Sequence, residues 1–590
     1  VNNQQLRQDY PRPQFEREMW LNLNGEWEFE YDDERKGDQE KWYQQHDFSQ
    51  KIQVPFCFQS ELSGIGDTGF HDCVWYGKQV TLPTNYKDKK ILLHFGAVDY
   101  LAWVWVNGEL VRFHEGGHTP FSVDITDYLN GGQNKIVVKA EDFSQDMMLP
   151  KGKQYWEEES ASIFYTRTTG IWQTVWLEPV TPTYLEKVRF TPNIDTNEIL
   201  IQAFLQGSSV RNKDQVLLRT KISYQGKPVT EQISFVTSDE MSFRVGLKDF
   251  NDHGLGRWWS PENPNLYDIE FTLLVDGVEI DRVQSYFGMR KIEVVDGKIC
   301  LNNRPYYMKL VLDQGYFPKG IMTPPSDEAI RQDVELTKAM GFNGSRKHQK
   351  IEDPRFMYWC DKLGLLVWGE MANASDYSTT AVRRITHEWQ EAVERDYNHP
   401  CIVAWVPLNE SWGVPNILVD PFQQQHALAM YHLTKSLDQT RLVISNDGWE
   451  HVKSDILTIH DYESKREVLE ERYRTVENAM SAKPANRWLQ VPGFPNEGAP
   501  IQVSEFGGIS FRKSDWEGWG YSAAANDEDF VQRLIAVIHP LLQSSVVQGY
   551  CYTQLTDVEQ EINGLLTYDR KPKVPLEVIK QINEGKVPKE

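Results

Sequence analysis

The sequence predicts a multidomain chain in which a β-sandwich and a smaller immunoglobulin-like β-sandwich precede a (β/α)8 barrel. Three observations carry this. The chain has 590 residues, several times an ordinary domain of about 150. Up to about Gly288 it is rich in β-branched and aromatic residues broken by glycine turns, with no long helical periodicity. After about Val294 short apolar runs alternate with capped amphipathic helices, the beat of a barrel.

Residues 1–182 form the first unit. From Leu101 to Val111, Ala102, Val104 and Val106 alternate with Trp103 and Trp105 and then meet Asn107-Gly108, the dipeptide that most favours a tight hairpin turn. The two tryptophans are expected in the sandwich core rather than on a sugar-binding platform. Residues 183–290 repeat the texture on a smaller scale, with β-rich runs Val216–Ser223 and Leu266–Asp281 and turns at Gln225-Gly226 and Asp276-Gly277. Residues 291–590 are assigned to the barrel. Ser326 caps a helix carrying Ile330, Val334 and Met340, and Gly341 ends it. Asp353-Pro354 starts the next helix and Gly364 stops it. The apolar strands read Tyr307–Leu312, Phe342–Arg346, Leu365–Trp368, Ile402–Val406, Leu442–Ser445, Ile456–Ile459, Ile501–Ser504 and Val546–Tyr552.

Composition excludes several function classes. Lys+Arg number 62 against 85 Asp+Glu, a net charge of −23, and no basic stripe offsets it, so nucleic acid and anionic membrane surfaces are not expected partners. Six scattered cysteines, with no CxxC pair, suit neither a disulfide framework nor a zinc site. The polar N-terminus and the lack of an apolar run of about 18 residues lead to the expectation of a soluble, cytoplasmic protein. A start at Val1 without Met leaves a removed leader open.

A barrel's chemistry sits at the C-terminal ends of its strands. Those positions hold Asp313 and Gln314; Arg346 and His348; Glu370; Asn409 and Glu410; Asn446, Asp447 and Trp449; His460, Asp461 and Tyr462; Glu505; and Asp557, Glu559 and Glu561. There is no His/Cys cluster with zinc spacing, no glycine-rich phosphate loop and no Gly-x-Ser-x-Gly, so no metal and no cofactor are expected. Carboxylates beside tryptophans remain. Glycoside hydrolysis needs that combination, with one carboxyl to protonate the leaving oxygen, a second to attack or activate water, and aromatic faces against the sugar.

At this point the sequence resembles glycoside hydrolase family 2, which includes β-galactosidases, β-glucuronidases and β-mannosidases, over nearly its whole length. Tyr165-Thr-Arg-Thr-Thr-Gly-Ile-Trp-Gln173 is similar to the motif closing the family's sugar-binding jelly-roll, Trp259-Ser-Pro-Glu-Asn-Pro264 to its immunoglobulin-like domain, and Phe287-Gly-Met-Arg290 to its approach to the barrel. Asn398-His399-Pro400 with Trp405 and Asn409-Glu410-Ser411 resembles the acid/base motif, and Ser504-Glu505-Phe506-Gly507 the nucleophile motif. The resemblance implies that Glu410 is the acid/base, Glu505 the nucleophile, Asn409 the donor to the sugar 2-hydroxyl and Tyr462 the tyrosine bonded to the nucleophile. Asp313, Arg346, His348, Glu370, Asn446, Asp447, Trp449 and His460 complete the expected substrate-binding set. For Arg346 and His348 the alternative is support of a carboxylate. For Asp313, Glu370 and Asp447 it is pairing with Arg346 and Lys347.

The family's β-glucuronidases carry an Asn-x-Lys pair near strand eight. Here the similar stretch is Glu561-Ile-Asn-Gly-Leu-Leu-Thr567, without the lysine, and Lys347 and Lys350 are the only nearby cations the sequence offers. The expectation is therefore a retaining exo-β-glycosidase for neutral sugars, β-galactosides first. The alternatives are a β-glucuronidase or other specificity, or a carbohydrate-binding protein without turnover. The resemblance also allows a homo-oligomer.

Overall fold

The computed structural model describes residues 7–211, 214–247 and 256–589. The first domain stacks two antiparallel sheets. One has six strands, in the order Gln50–Val54, Gly25–Tyr31, Cys73–Thr81, Gln133–Glu141, Leu101–Val106 and Glu109–Glu115; the other has four. Period-two alternation sends Ala102, Val104 and Val106 into the core between the sheets, with Trp27, Phe29 and Tyr76. The hairpin turns at Asn107-Gly108, both at positive φ. The expectation for Trp103 and Trp105 needs correction, because the same alternation places them on the outer face. Trp105 stacks on Tyr43 and Trp75, at 4.9 and 5.3 Å between centroids, in a separate aromatic cluster, and Trp103 carries the Lys139 ammonium 4.0 Å from its ring.

The second domain is a sandwich of three and four strands, its hairpins turning at Gln225-Gly226 and Asp276-Gly277. Numbered within the barrel, the strands are β1 Met308–Asp313, β2 Gly344–Lys347, β3 Leu366–Glu370, β4 Ile402–Val406, β5 Leu442–Val443, β6 Leu457–Asp461, β7 Ile501–Gly507 and β8 Val547–Thr553. They form one parallel sheet in the order β5-β4-β3-β2-β1-β8-β7-β6. No ladder joins β5 to β6. Beside that seam, Leu408–Asn409 pairs in parallel with Asn446–Asp447. The caps lie where the sequence predicts them: Ser326 Oγ accepts from Ala329 N (3.1 Å) at the start of α1 (Asp327–Ala339), and Asp353 caps α2 (Pro354–Leu363), which Gly364 ends at φ +83°.

The family-like motifs lie at the seams between domains. Trp259 Nε1 donates to Asp361 O (2.8 Å) and Arg290 Nε to Pro400 O (3.0 Å), while within the barrel His399 meets Asp361 Oδ2 at 2.6 Å. Tyr165 and Trp172 pack with Tyr316, Ile321, Met322 and Tyr568 in an apolar cluster shared by the first domain and the barrel. Among the described residues no helix is long and apolar enough to cross a membrane.

Candidate active site

The C-terminal end of β4 sets the first catalytic candidate. Beyond Leu408–Asn409 the chain turns through Glu410 and Ser411, both at positive φ (+50° and +58°), a conformation that costs non-glycine residues free energy and needs support. Asn446 supplies it: its Oδ1 accepts from Ser411 N (2.8 Å) and its Nδ2 donates to Ser411 Oγ (3.0 Å), while Glu410 N donates to Asp447 O (2.9 Å). Asn446 therefore positions Glu410, its amide being fully used. Glu505, within β7, is the second candidate.

His460, at the end of β6, joins the two. Its Nδ1 donates to Glu410 Oε1 at 2.6 Å and also contacts Glu505 Oε2. The three donor atoms lie within 4.8 Å of one another. Burial alone would lower the His460 imidazole, but the Glu505 charge, with bonds to Asp447 and Glu410, raises it well above its ordinary value. With Glu410 and Glu505 it makes up the single group of potential metal ligands among the described residues. Gly448 makes room for the ring: it sits at φ +109°, and a Cβ there would meet His460 Nδ1 at 2.5 Å.

Arg346, on β2, is fully buried and collects the remaining charges. Its Nε lies 2.7 Å from Glu370 Oε2 and 2.9 Å from Asp447 Oδ2, and a terminal nitrogen lies 3.5 Å from Glu505 Oε1. Its other terminal nitrogen donates to Asn409 Oδ1 (2.7 Å). With that oxygen taken, Asn409 keeps its Nδ2 for donation. Asn373 fixes the backbone, accepting from Asn409 N at 2.8 Å. His348 pairs with Glu370 (2.7 Å), and Ser504 Oγ donates to Asp447 Oδ1 (2.6 Å). Arg346, Glu370 and Asp447, with the buried His348 imidazole, thus form a polar floor beneath the pair, the arrangement that the supporting alternative describes.

The two carboxyls are driven apart electrostatically. Burial raises Glu410, and the negative Glu505 raises it further against the pull of His460. Burial also opposes ionisation of Glu505, but His460 and Arg346 overcome it and hold this carboxyl well below the usual range. The surroundings thus favour the proton on Glu410 and the charge on Glu505.

Other candidates lie elsewhere. Asp313 is paired with Lys347 (2.7 Å), which with Lys350 also serves Glu352, so this network runs beside the site. Tyr462 departs from its expected role: its hydroxyl meets Thr553 Oγ1 at 3.1 Å, not Glu505, and its ring stacks on Tyr521 at 3.6 Å. Trp449 meets the His460 ring edge-on at 5.6 Å, its Nε1 buried and unpartnered. Asp461 is bonded to Arg472 and Tyr473, Gln314 to Gln554, and Asp557 to Lys573. Glu559 accepts from Thr166 N, and Glu561 from Tyr165 Oη and Asn563 Nδ2. The acids after β8 are thus held by the first domain as well as by the barrel. Sequence reasoning missed Asn373, Tyr521, Trp412 and above all Lys153, which the first domain brings to the barrel mouth. Lys347 and Lys350 are therefore not the only cations near the site.

Comparison with known proteins agrees with this architecture. Residues 21–177 match the family model for the glycosyl hydrolases family 2 sugar binding domain, residues 183–290 that for glycosyl hydrolases family 2, and residues 292–586 that for its TIM barrel domain. A putative beta-glucuronidase of Formosa agariphila is 28% identical over 58% of this chain and 40% of its own length. A beta-galactosidase of Thermoanaerobacter pseudethanolicus is 30% identical over 57% of this chain and 44% of its own. Both matches span less than half of the relative. The β-glucuronidase from Ruminococcus gnavus in complex with D-glucuronic acid superimposes with a TM-score of 0.77 over 97% of this chain and 99% of that one, at 19% identity, a likeness of fold.

Proposed function

Because the chain belongs to glycoside hydrolase family 2, we propose that it is a retaining exo-β-glycosidase working by double displacement, with Glu505 as nucleophile and Glu410 as acid/base. The observation that carries this reading is the pair itself: two carboxyl oxygens within 4.8 Å, one carboxyl favouring its proton and the other its charge. Retaining enzymes need a gap of about 5 Å, whereas inverting enzymes leave about 6.5 to 9.5 Å for a water.

In the first step a Glu505 oxygen bonds to the anomeric carbon as the bond to the leaving oxygen breaks, and Glu410 gives that oxygen its proton. Forming the ester removes the negative charge that held the Glu410 proton, so Glu410 becomes a base. In the second step it takes a proton from water, whose oxygen attacks the same carbon and releases Glu505. Asn409 Nδ2 is available to the 2-hydroxyl, where a hydrogen bond strengthens as the ring gains oxocarbenium character.

On the sugar, the expectation of a β-galactoside loses its priority. Relatives named beta-glucuronidase stand beside those named beta-galactosidase, and the glucuronidase alternative fits at least as well. A panel of p-nitrophenyl β-glycosides (galactoside, glucuronide, mannoside, glucoside, xyloside), with proton NMR of the first-formed anomer, tests the reaction. Wild type is expected to release a β-anomer from at least one sugar, and Glu505→Gln to lose at least about 10³-fold. No release by wild type from any of them would sink the proposal, and a first-formed α-anomer would sink the double displacement.

A further inference from the structure

Lys153 is set in the barrel mouth by the first domain. The segment before it docks on the barrel: Gly152 N donates to Asn373 O (3.1 Å), and Gly152, at φ +61°, lies so close that a Cβ would stand 2.4 Å from Gln349 O. The next backbone bond, from Tyr165 N to Lys153 O (2.7 Å), ties this segment to Tyr165, whose hydroxyl reaches Glu561. The Lys153 ammonium lies 5.6 Å from the ring of Trp412, two residues beyond Glu410, and 5.9 Å from that of Tyr165.

The residue is only 6% exposed, and its ammonium faces the rings of Trp412 and Tyr165, with no salt bridge within 4 Å among the described residues. The contrast with its neighbours decides the matter. Lys347 and Lys350 each have carboxylate partners at 2.7 to 2.9 Å, and Lys573 has Asp557 at 2.6 Å. A largely buried cation with no ion pair within 4 Å is costly unless a more distant or an added charge offsets it. The nearby acid, Glu561, is already occupied by Tyr165 and Asn563, and burial raises its carboxyl although Lys153 draws it down.

We infer that Lys153 is the specificity-determining cation of this site, that it pairs with the carboxylate of a β-linked uronic acid, and that the substrate class is therefore a β-uronide rather than a neutral glycoside. This rests on the glycosidase reading above. The lysine missing after β8 is thus matched by one that the first domain brings near Glu561.

The test compares full-length wild type, Lys153→Met and Lys153→Arg on p-nitrophenyl β-D-glucuronide, β-D-galacturonide, β-D-glucoside and β-D-galactoside. In wild type the uronides are expected to lead, and Lys153→Met to lower uronide kcat/KM by on the order of 100-fold, the worth of a charged hydrogen bond. The neutral substrates should change by less than about 3-fold, and Lys153→Arg should recover part of the loss. A wild-type preference for neutral sugars, or an equal loss on all four substrates, overturns the inference. A second measurement is independent of turnover: calorimetric titration of methyl β-D-glucuronide and methyl β-D-glucoside into Glu505→Gln, with and without Lys153→Met. A preference for the glucuronide that vanishes with Lys153→Met upholds the inference even if no glycoside is hydrolysed, in which case the glycosidase reading alone fails. No preference overturns it.

Discussion

At the scale of single residues the site is governed by two carboxyls with opposite electrostatic surroundings. Glu410 feels burial and Glu505, and both favour its neutral form; Glu505 feels His460 and Arg346, which outweigh burial and favour its charge. The consequence for pH is asymmetric. The acid must carry its proton, so kcat/KM falls as pH rises through the elevated Glu410 value, while Glu505 stays ionised far to the acid side. Glu410→Ala should remove the alkaline limb and lower turnover of a poor leaving group, such as a methyl glycoside, by about 10² to 10⁴-fold, with a smaller loss for p-nitrophenol, which needs no proton. A full alkaline limb retained in Glu410→Ala would assign it to another group. The proximity of the candidate pair is legible in the sequence because each residue falls inside a short motif at or near the C-terminal end of a barrel strand. The partner of Tyr462 is not readable: whether its hydroxyl meets Glu505 or Thr553 depends on how β6, β7 and β8 stagger, and no local pattern encodes that.

At the scale of elements, what is legible is what is local. The eight barrel strands, the Ser326 and Asp353 caps and the Asn-Gly hairpin follow from periodicity and turn chemistry within a dozen residues. The break between β5 and β6, and the side pairing that carries Asn409 and Asn446, arise from strand geometry and leave no trace in composition. The segment presenting Lys153 is another such case, since its partners Asn373 and Gln349 are some 200 residues away in the sequence. Its weak point is Gly152, where a positive φ and a carbonyl 2.4 Å from any added Cβ exclude a side chain. Gly152→Ala should lift this segment off the barrel. The expected result is at least a 10-fold loss of kcat/KM, on the order of one to three kcal/mol of misplacement, with the circular dichroism spectrum unchanged. Full activity in Gly152→Ala would mean that the contact does not hold the mouth.

At the scale of the whole molecule, the excess of acids acquires a structural meaning where the first domain meets the barrel. Glu388, on the barrel helix Thr379–Asp396, points into the loop Gly116–His118 of the first domain, accepting from His118 N at 2.6 Å while its second oxygen is buried without a partner. Burial, with Glu391 and Glu115 adding to it, pushes its carboxyl up to about 8. Asp99 beside it, which accepts from Gln154 Nε2 at 2.9 Å, is pushed up to about 7, by burial first and by Glu388 second. Both values lie above those of an unfolded chain, so the folded state holds protons that the unfolded state gives up. The stability they contribute is complete below the unfolded carboxyl values near 4 and is lost as pH rises through about 7 and then about 8. Melting temperature, followed by scanning fluorimetry at constant ionic strength from pH 6 to pH 9, should therefore fall, the Glu388 share being on the order of 3 kcal/mol over its range. Glu388→Gln, which keeps the acceptor and removes the titration, should flatten that slope, and an unchanged slope would mean that these two carboxyls do not link the domains to pH.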